Sequence, residues 1–206
     1  MTAPVLYTIG HSNHEIATFI DLLERHDVKL VADVRSSPYS GYNSQFNREP
    51  LSAALRSRGL EYLFLGRELG ARRDEPECYV DQKVKFPLVA RLPLFRQGID
   101  HLRQTIVGSR TALLCAEKDP LACHRAILIC RYLRKDDIDI RHILEDGVAE
   151  QNADAESRLL ALLKMPSRSL FQSKDELIEE AYDRQGDKIA FVDSPALPSE
   201  SLEHLL

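Results

Sequence analysis

The sequence contains no run of about 18 apolar residues, the length at which a segment becomes a candidate to cross a membrane as a helix. Its first residues show neither the basic segment nor the short apolar stretch of a secretory signal. We therefore expect a cytoplasmic protein without a membrane partner. With 44% hydrophobic and 29% charged residues, the 206-residue chain has the composition of a globular protein.

Cysteine is scarce as well. The four cysteines, at positions 78, 115, 123 and 130, are too few and too irregularly spaced for the disulfide framework of a secreted domain. A reducing compartment would keep them as thiols. They are expected to be either buried core residues or reactive groups.

An excess of positive charge is absent, since the net charge is −5. The chain therefore has no overall attraction for nucleic acid or for an anionic membrane. Arginines between positions 56 and 73 make the middle of the chain locally basic. Such arginines usually form a solvated face, but a phosphate-facing role, and with it nucleic acid as a partner, stays open.

Several familiar catalytic and binding motifs are missing too. There is no G-x-G-x-x-G after a strand, no G-x-x-x-x-G-K-[ST] and no G-x-S-x-G. The C-x5-R loop of a cysteine phosphatase is not formed either, because Leu121 occupies the arginine position. These absences weaken dinucleotide, P-loop and α/β-hydrolase interpretations, and no cofactor is indicated.

What the chain does contain is an alternation of apolar strand patterns and helix patterns. Strands are predicted near residues 5–9, 29–34, 60–65, 111–115 and 139–143, with helices between them. Near-continuous apolar strands that alternate with helices favour a parallel sheet covered on both faces. We predict a Rossmann-like or flavodoxin-like three-layer α/β sandwich.

The chain is predicted to divide into an α/β core (1–147), a helical extension (148–193) and a mobile tail (194–206). Two helices, near 153–164 and 174–185, and a short strand at 188–192 would form the extension. Within the core, Ser12 and Glu15 resemble a capping box for a helix over 13–26. Asp119 and Pro120 predict the start of a helix reaching about residue 135, and residues 66–86 resemble a long loop or flap that is functional or partly helical.

Polar side chains follow three of the predicted strands at the edge where parallel sheets bind ligands. Residues that are far apart in the chain thus return to one rim. They are His11 and Ser12 after the first strand, Asp33, Arg35 and Ser36 after the second, and Cys115, Glu117, Cys123, His124 and Arg125 after the fourth.

The expected nucleophile is Cys123 or Cys115. A helix N-terminus together with His124 and Arg125 would favour the thiolate of Cys123. Both cysteines are also compatible with a buried core, Cys115 more so because it ends an apolar strand. Glu117 or Asp33 is the expected proton-transfer group.

Arg35 and Arg125 are the expected anion clamps, because an arginine fork suits phosphate and carboxylate. His11, Ser12, Ser36 and His124 complete the candidate ligand-binding set. Each has a structural alternative: Arg125 in a salt bridge, such as a bidentate pair with Glu117, Asp33 as a loop anchor, Ser12 as a helix cap, and His124 as an exposed helix residue.

A metal site is not expected. Cys115, Cys123 and His124 are competent zinc ligands, but the spacing C-x7-C-H does not match a zinc ribbon. On a helix, adjacent Cys123 and His124 would also diverge by about 100°.

Five ordered motifs between residues 5 and 147 resemble the bacterial and archaeal domain-of-unknown-function family 488. They are Tyr7-Thr8-Ile9-Gly10-His11-Ser12, Asp33-Val34-Arg35-Ser36-Ser37-Pro38, Gln45-Phe46-Asn47-Arg48, Cys115-Ala116-Glu117-Lys118-Asp119-Pro120 with Cys123-His124-Arg125, and His142-Ile143-Leu144. Gly70-Ala71 departs from the glycine pair that is more usual in the family. The resemblance implies a cytosolic α/β protein with an enzyme-like pocket, but no particular reaction.

The leading functional hypothesis is an enzyme of hydrolase or transferase type that acts on a small anionic or nucleotide-like ligand at this rim. Two alternatives stay open: a ligand-binding or nucleic-acid-associated accessory protein that converts nothing, and a thiol redox sensor using Cys115 and Cys123. The oligomeric state is not predicted.

Overall fold

The computed structural model describes residues 3–193, so the predicted mobile tail at 194–206 lies outside the described residues. Within 3–193, no helix is both long enough and apolar enough to pass through a bilayer. The strands are β1 (Val5–Gly10), β2 (Leu30–Asp33), β3 (Glu61–Phe64), β4 (Tyr79–Val80), β5 (Lys83–Val84), β6 (Thr111–Cys115), β7 (Asp139–Ile143) and β8 (Ala149–Gln151).

Six of these strands form the central sheet, in the order β3-β2-β6-β1-β7-β8. Neighbours pair in parallel except β8, which runs antiparallel to β7. Every residue of β2 and β6 is buried. That burial on both faces explains why these strands are apolar in the sequence except for Asp33 at the end of β2 and Thr111 at the start of β6.

Helices cover both faces of the sheet. They are α1 (Ile16–Arg25), α2 (Arg48–Ser57), α3 (Gly66–Leu69), α4 (Phe86–Val89), α5 (Pro93–Gly108), α6 (Arg131–Leu133), α7 (Asn152–Leu162) and α8 (Lys174–Ile189), with a π-helix at Arg125–Cys130 that leads into α6. One hydrophobic cluster joins α1 and α2 to the sheet, and a second joins α5, the π-helix, α7 and α8 to the opposite face. The predicted three-layer α/β sandwich is thus confirmed.

Local sequence accounts for several element boundaries. In α1 the buried residues Phe19, Ile20, Leu22 and Leu23 recur at helical spacing and face the sheet. Helix α2 ends just before Gly59, whose positive φ of 75° suits glycine and stops the helix.

The predicted capping box at Ser12 is wrong. Helix α1 begins at Ile16 with Glu15 as its N-cap, and no side chain caps it. Ser12 instead lies in the turn after β1, where it has a positive φ of 46° and its backbone N–H donates to the Ala116 carbonyl. Its backbone therefore ties the β1 loop to the loop after β6.

Residues 66–86 are folded rather than forming a long open loop. They contain α3, a 3-10 turn at Pro76–Cys78 and the antiparallel hairpin β4-β5. The buried Arg73 fastens the segment, since it pairs with Glu75 and donates to the Arg67 and Glu68 carbonyls. The structure therefore supports the alternative prediction, that this segment is partly helical.

The helix predicted from Asp119 to about residue 135 is interrupted. Asp119 caps a 3-10 turn at Pro120–Ala122, with its carboxylate accepting from the Leu121 N–H at 2.9 Å. The backbone is then extended at Cys123 (φ −138°, ψ 142°) before the π-helix begins. This break sets the geometry of the site described below.

The C-terminal part also differs from expectation. Helix α8 runs to Ile189 with a full capping box at Ser173 and Glu176, so the predicted strand at 188–192 is wrong apart from one bridge at Val192. Strand β8 was not predicted, although it belongs to the central sheet. Leu159 and Leu177 pack in the same cluster as sheet residues; the division into a core and an extension at residue 147 stays a prediction.

Candidate functional site

The candidate site lies at the carboxyl edge of β2, β6 and β1, which are neighbours in the sheet. The helices that follow β1 and β2 pack on one face, whereas the helix that follows β6 packs on the other. Such a change of direction opens a crevice at the carboxyl ends of the strands. The predicted rim residues after these strands therefore do meet at one edge.

Arg35 forms one wall of this crevice and is held in place from below by Asp33. Its Nε and Nη2 donate to the two carboxylate oxygens of Asp33 at 2.9 and 2.6 Å, and Nη2 also donates to the Phe46 carbonyl at 2.9 Å. Asp33 is fully buried and accepts a further bond from the Tyr62 hydroxyl at 2.7 Å. Because Asp33 is satisfied by these donors, it orients Arg35 and is removed from the open side of the site.

A second group gathers two thiols, an imidazole and a carboxylate. Cys115 and Cys123 each have Sγ close to Nδ1 of His124, at 3.7 and 3.8 Å, and Cys115 Sγ donates to Oε2 of Glu117 at 3.0 Å. His124 Nε2 lies 3.0 Å from the Val34 carbonyl. Since a carbonyl only accepts, Nε2 carries a proton and Nδ1 faces the sulfurs.

The break before the π-helix produces this arrangement. Cys123 has an extended backbone, whereas His124 is already helical (φ −60°, ψ −24°), so the two adjacent side chains converge on one point. The predicted divergence of about 100° assumed a continuous helix and is wrong. His124 is also buried rather than an exposed helix residue.

The two thiols of this group have pKa values shifted in opposite directions. Burial would raise the pKa of Cys123, but the hydrogen bond with Cys115 and the positive charges of Arg125 and His124 place that pKa well below its usual value. The hydrogen bond to Cys123, followed by burial, raises the pKa of Cys115 well above its usual value. These opposite shifts favour the thiolate form at Cys123 and the protonated thiol at Cys115.

The neighbours of the thiolate respond to it. Burial would lower the pKa of His124, but the negative charge of Cys123 raises it. The pKa of Glu117 is also raised, first by partial burial of its carboxyl group and then by the negative charge of Cys123. Taken over the whole residue, Glu117 is exposed to solvent. The lowered pKa of Cys123 and the raised pKa of His124 both favour a thiolate–imidazolium pair, and the raised pKa of Glu117 lets its carboxylate take up a proton more readily than usual.

Arg125 is fully buried behind this group. Its Nη1 and Nη2 donate to the carbonyls of Glu117 and Lys118 at 2.7 and 3.1 Å, and Nε donates to the Thr8 hydroxyl at 3.4 Å. The expected bidentate pair with the Glu117 carboxylate is not formed; the guanidinium binds the backbone instead. Arg125 thus fixes the loop that carries Glu117.

Gly10 is required for the same contact. A Cβ atom at Gly10 would lie 1.8 Å from the Glu117 carbonyl oxygen, so no larger residue fits unless the loop moves. The end of β1 and the loop after β6 therefore pack backbone against backbone. His11 stacks on Phe46 with ring centroids 4.5 Å apart, and burial lowers its pKa.

A pocket of about 240 Å³ opens onto this edge. It is lined by Arg35, Ser36, Ser37, Tyr39, Ala71, Arg72, Cys115, Ala116, Glu117 and His124. Of the predicted site residues, Arg35, Ser36, Cys115, Glu117 and His124 therefore line the pocket. Asp33, Cys123, Arg125, His11 and Ser12 are not part of its lining and lie around it.

Sequence reasoning did not single out Arg72 or Tyr39 as site residues. Arg72 belongs to the arginine-rich stretch noted above; its backbone N–H donates to the Ser36 hydroxyl at 2.9 Å, and its guanidinium lies 4.8 Å from the Phe191 ring centroid. A larger pocket of about 630 Å³ shares Ser36, Ser37 and Arg72 with the first. Clustered arginine near a predicted strand end was the only sequence signal for this wall.

Comparison with known families gives one match. A family model described as "Domain of unknown function DUF488" matches residues 15–132, which contain β2, β3, β6 and the segment from Cys115 to Arg125. No curated protein and no solved structure matched the chain.

Proposed function

The chain belongs to the domain-of-unknown-function family DUF488, and we propose that it is an enzyme of hydrolase or transferase type that acts on a small anionic ligand. The observation that carries the proposal is the pocket in which Arg35 and Arg72 lie beside Cys115, Glu117 and His124. Anion-binding groups and reactive groups share one cavity, which is the arrangement that group transfer from an anionic substrate requires.

Arg35 and Ser36 are the proposed ligand-binding groups, together with Arg72. The bonds of Arg35 to Asp33 and Phe46 use Nε and Nη2, which leaves Nη1 for a phosphate or carboxylate of the ligand. Because Asp33 holds the guanidinium at two nitrogens, little side-chain freedom is lost when a ligand binds.

Cys115 is the proposed nucleophile, because it lines the pocket whereas Cys123 lies behind it. As Cys115 Sγ bonds to an electrophilic carbon or phosphorus, its proton passes to Glu117 at 3.0 Å. Protonated Glu117 then donates to the leaving group. Water completes a hydrolase reaction, and an acceptor molecule completes a transferase reaction.

The proposed positioning residues are Cys123, His124 and Arg125, which contact Cys115 or the loop that carries Glu117. The backbone of His11 and Ser12 holds the adjoining loop. The four cysteines are free thiols, which fits a reducing compartment, so we place the enzyme in the cytoplasm. The alternative with nucleic acid as a partner is not part of this proposal.

Binding is tested with inorganic phosphate by titration calorimetry. Wild-type protein is expected to bind it, and Arg72→Gln is expected to bind about 10- to 150-fold more weakly, because a charge-assisted hydrogen bond contributes about 1.5–3 kcal/mol. Arg91→Gln, at another exposed arginine, is the matched control. Equal affinity in all three proteins would remove Arg72 from the site.

Catalysis is tested with p-nitrophenyl phosphate and p-nitrophenyl acetate as generic phosphoryl and acyl probes. Glu117→Gln and Cys115→Ser are expected to abolish the turnover that wild type shows, whereas Glu61→Gln, an exposed carboxylate on β3, is expected to retain it. Full activity in both site variants would contradict the assigned roles.

The closeness of the two thiols favours a second function, thiol redox sensing. Cys115 and Cys123 have their sulfurs within 4.8 Å of each other. On this hypothesis a mild two-electron oxidant such as hydrogen peroxide joins them in a disulfide, with reduction of the peroxide to water. Peptide mass spectrometry that finds both thiols free after treatment would contradict it.

A further inference from the structure

Cys115, Cys123 and His124 form a cluster whose Sγ, Sγ and Nδ1 atoms all lie within 4.8 Å of one another. All three residues are buried. A hydrogen-bond account of this cluster is incomplete. Nδ1 can make only one directed hydrogen bond, whether it donates or accepts, yet both sulfurs lie at nearly the same distance from it.

The spacing of these atoms suits a single ion between them. In a tetrahedral zinc site, Zn–S bonds of about 2.3 Å and Zn–N bonds of about 2.05 Å separate sulfur from nitrogen by about 3.6 Å. The observed separations are 3.7 and 3.8 Å. Both sulfur–nitrogen separations therefore match a zinc site. The two sulfurs, which lie within 4.8 Å of each other, would need to be about 3.8 Å apart around the ion.

The surroundings of the cluster are also those of a metal site. His124 Nε2 donates to the Val34 carbonyl at 3.0 Å, which fixes the ring and directs Nδ1 towards the sulfurs. The backbone N–H of Arg125 donates to Cys123 Sγ at 3.5 Å, a bond that orients the sulfur. These outer bonds would hold the ligands in place before a metal arrives.

From this geometry we propose that Cys115, Cys123 and His124 bind one Zn²⁺ ion, with a fourth coordination position open to the 240 Å³ pocket that Cys115 and His124 line. Two thiolates and one imidazole favour zinc over magnesium or calcium, which prefer oxygen ligands. Three protein ligands with an open position are typical of catalytic rather than structural zinc.

Zinc binding does not depend on the reaction proposed above, but it changes which group reacts. In the zinc-loaded protein both sulfurs are ligands, so a free Cys115 thiol is no longer the nucleophile. A water molecule at the fourth position, near Glu117, would take that part, because zinc lowers the pKa of water bound to it. Reactions of the free Cys115 and Cys123 thiols would then occur only in the metal-free protein.

The test is a titration of reduced, metal-free full-length protein with Co²⁺, which replaces zinc and reports its ligands by absorption. Wild type is expected to bind one equivalent, with a sulfur-to-cobalt charge-transfer band and the visible bands of a tetrahedral ion. Zn²⁺ should displace the cobalt, and Mg²⁺ should not. Absence of the charge-transfer band at one equivalent of cobalt would overturn the proposal.

Variants locate the site. Cys115→Ser and Cys123→Ser are expected to lower zinc affinity, measured by competition with a chromophoric chelator, by at least roughly 100-fold, beyond what loss of an outer-shell partner costs. Cys130→Ser is the matched control, because Cys130 is also a fully buried free thiol on the same segment but lies outside the cluster. Equal affinity in Cys115→Ser and Cys130→Ser would refute the assignment.

X-ray absorption on zinc-loaded wild type keeps the proposal testable if a variant fails to fold. A first shell with two sulfur atoms and at least one nitrogen is expected, and a shell of only nitrogen and oxygen would refute the site. If the protein does not bind zinc but still binds phosphate and turns over the probes, the zinc site is refuted and the proposed function is not. Zinc binding without phosphate binding or turnover would instead overturn the proposed function alone.

Discussion

His142 should make the stability of this protein depend on pH between about 6.5 and 4. The residue is 1% exposed and lies between Thr8 and Asn152, with Nδ1 2.9 Å from the Thr8 hydroxyl and Nε2 3.1 Å from the Asn152 side-chain oxygen. Nε2 donates to that oxygen, and Nδ1 accepts from Thr8. The network therefore uses the neutral imidazole.

Protonation of His142 is opposed mainly by burial and secondly by the positive charge of Arg125, which together lower its pKa from 6.5 to about 4. Arg158 opposes protonation too, whereas the bond with Asn152 and the charge of Glu150 favour it. At about 1.4 kcal/mol for each pKa unit, the neutral imidazole contributes about 3 kcal/mol to the free energy of unfolding.

The sign follows from proton linkage. The unfolded chain binds a proton at His142 near pH 6.5 and the folded chain only near pH 4, so acid favours unfolding. The contribution is complete above about pH 6.5 and is lost as the pH falls through 4. Below that value both states are protonated, and the dependence disappears.

The assay is urea unfolding of wild type and His142→Gln at a series of pH values from 7 to 4. Gln keeps a donor for Asn152 but cannot titrate, so the difference between the two free energies of unfolding should shrink by about 3 kcal/mol over this range. His101→Gln, at an exposed histidine on α5, is the control and should follow wild type. Parallel profiles for wild type and His142→Gln would show that the burial argument is wrong.

Two further predictions concern packing around the site, and a third concerns a helix cap away from it. Gly10→Ala should destabilise the fold by about 2 kcal/mol or more and reduce turnover, because its Cβ would meet the Glu117 carbonyl at 1.8 Å; Gly108→Ala, with open space around it, should be neutral or slightly stabilising in the same thermal melts. Arg125→Met should lower the free energy of unfolding by about 2–4 kcal/mol, since buried carbonyls lose their donor, and a change under 0.5 kcal/mol would contradict this. Ser173→Ala should lower the free energy of unfolding in urea by about 1 kcal/mol, because the α8 capping box is lost. Phosphate affinity should stay unchanged, and a clear loss of affinity would count against the proposed position of the binding site.

Protonation of His142 should also affect the site, because His142 and Arg125 share hydrogen bonds with the Thr8 hydroxyl. Thr8 accepts from Arg125 Nε at 3.4 Å and donates to His142, and Asn152 continues the network to Glu156 at 2.9 Å. The loop that carries Glu117 is thus connected through buried hydrogen bonds to α7. Charging His142 would remove the acceptor that Thr8 uses.

The strands were the most predictable part of the fold. The bounds of β6 and β7 match the predicted 111–115 and 139–143, because each is a short apolar or alternating run between polar turns. The hairpin β4-β5 and strand β8 were missed. They are only two or three residues long, and they depend on partners that only the folded chain supplies.

The roles of individual rim residues were less predictable than their position. Asp33 and Arg125 were expected as reactive or ligand-binding groups, yet both are fully buried and use their polar atoms on neighbouring protein groups. Residue type and strand position indicate the edge of the sheet, but they do not tell which side of a loop faces the solvent.

The sequence by itself determined the layers of the fold and the edge at which polar residues collect, because hydrophobic periodicity is local and parallel strands end at the same edge. Only the tertiary structure decided that Cys115, Cys123 and His124 converge. That convergence needs the extended backbone at Cys123 and a bond from His124 to the Val34 carbonyl 90 residues earlier in the chain. Contacts over such separations form only when the sheet has assembled, and no local pattern in the sequence encodes them.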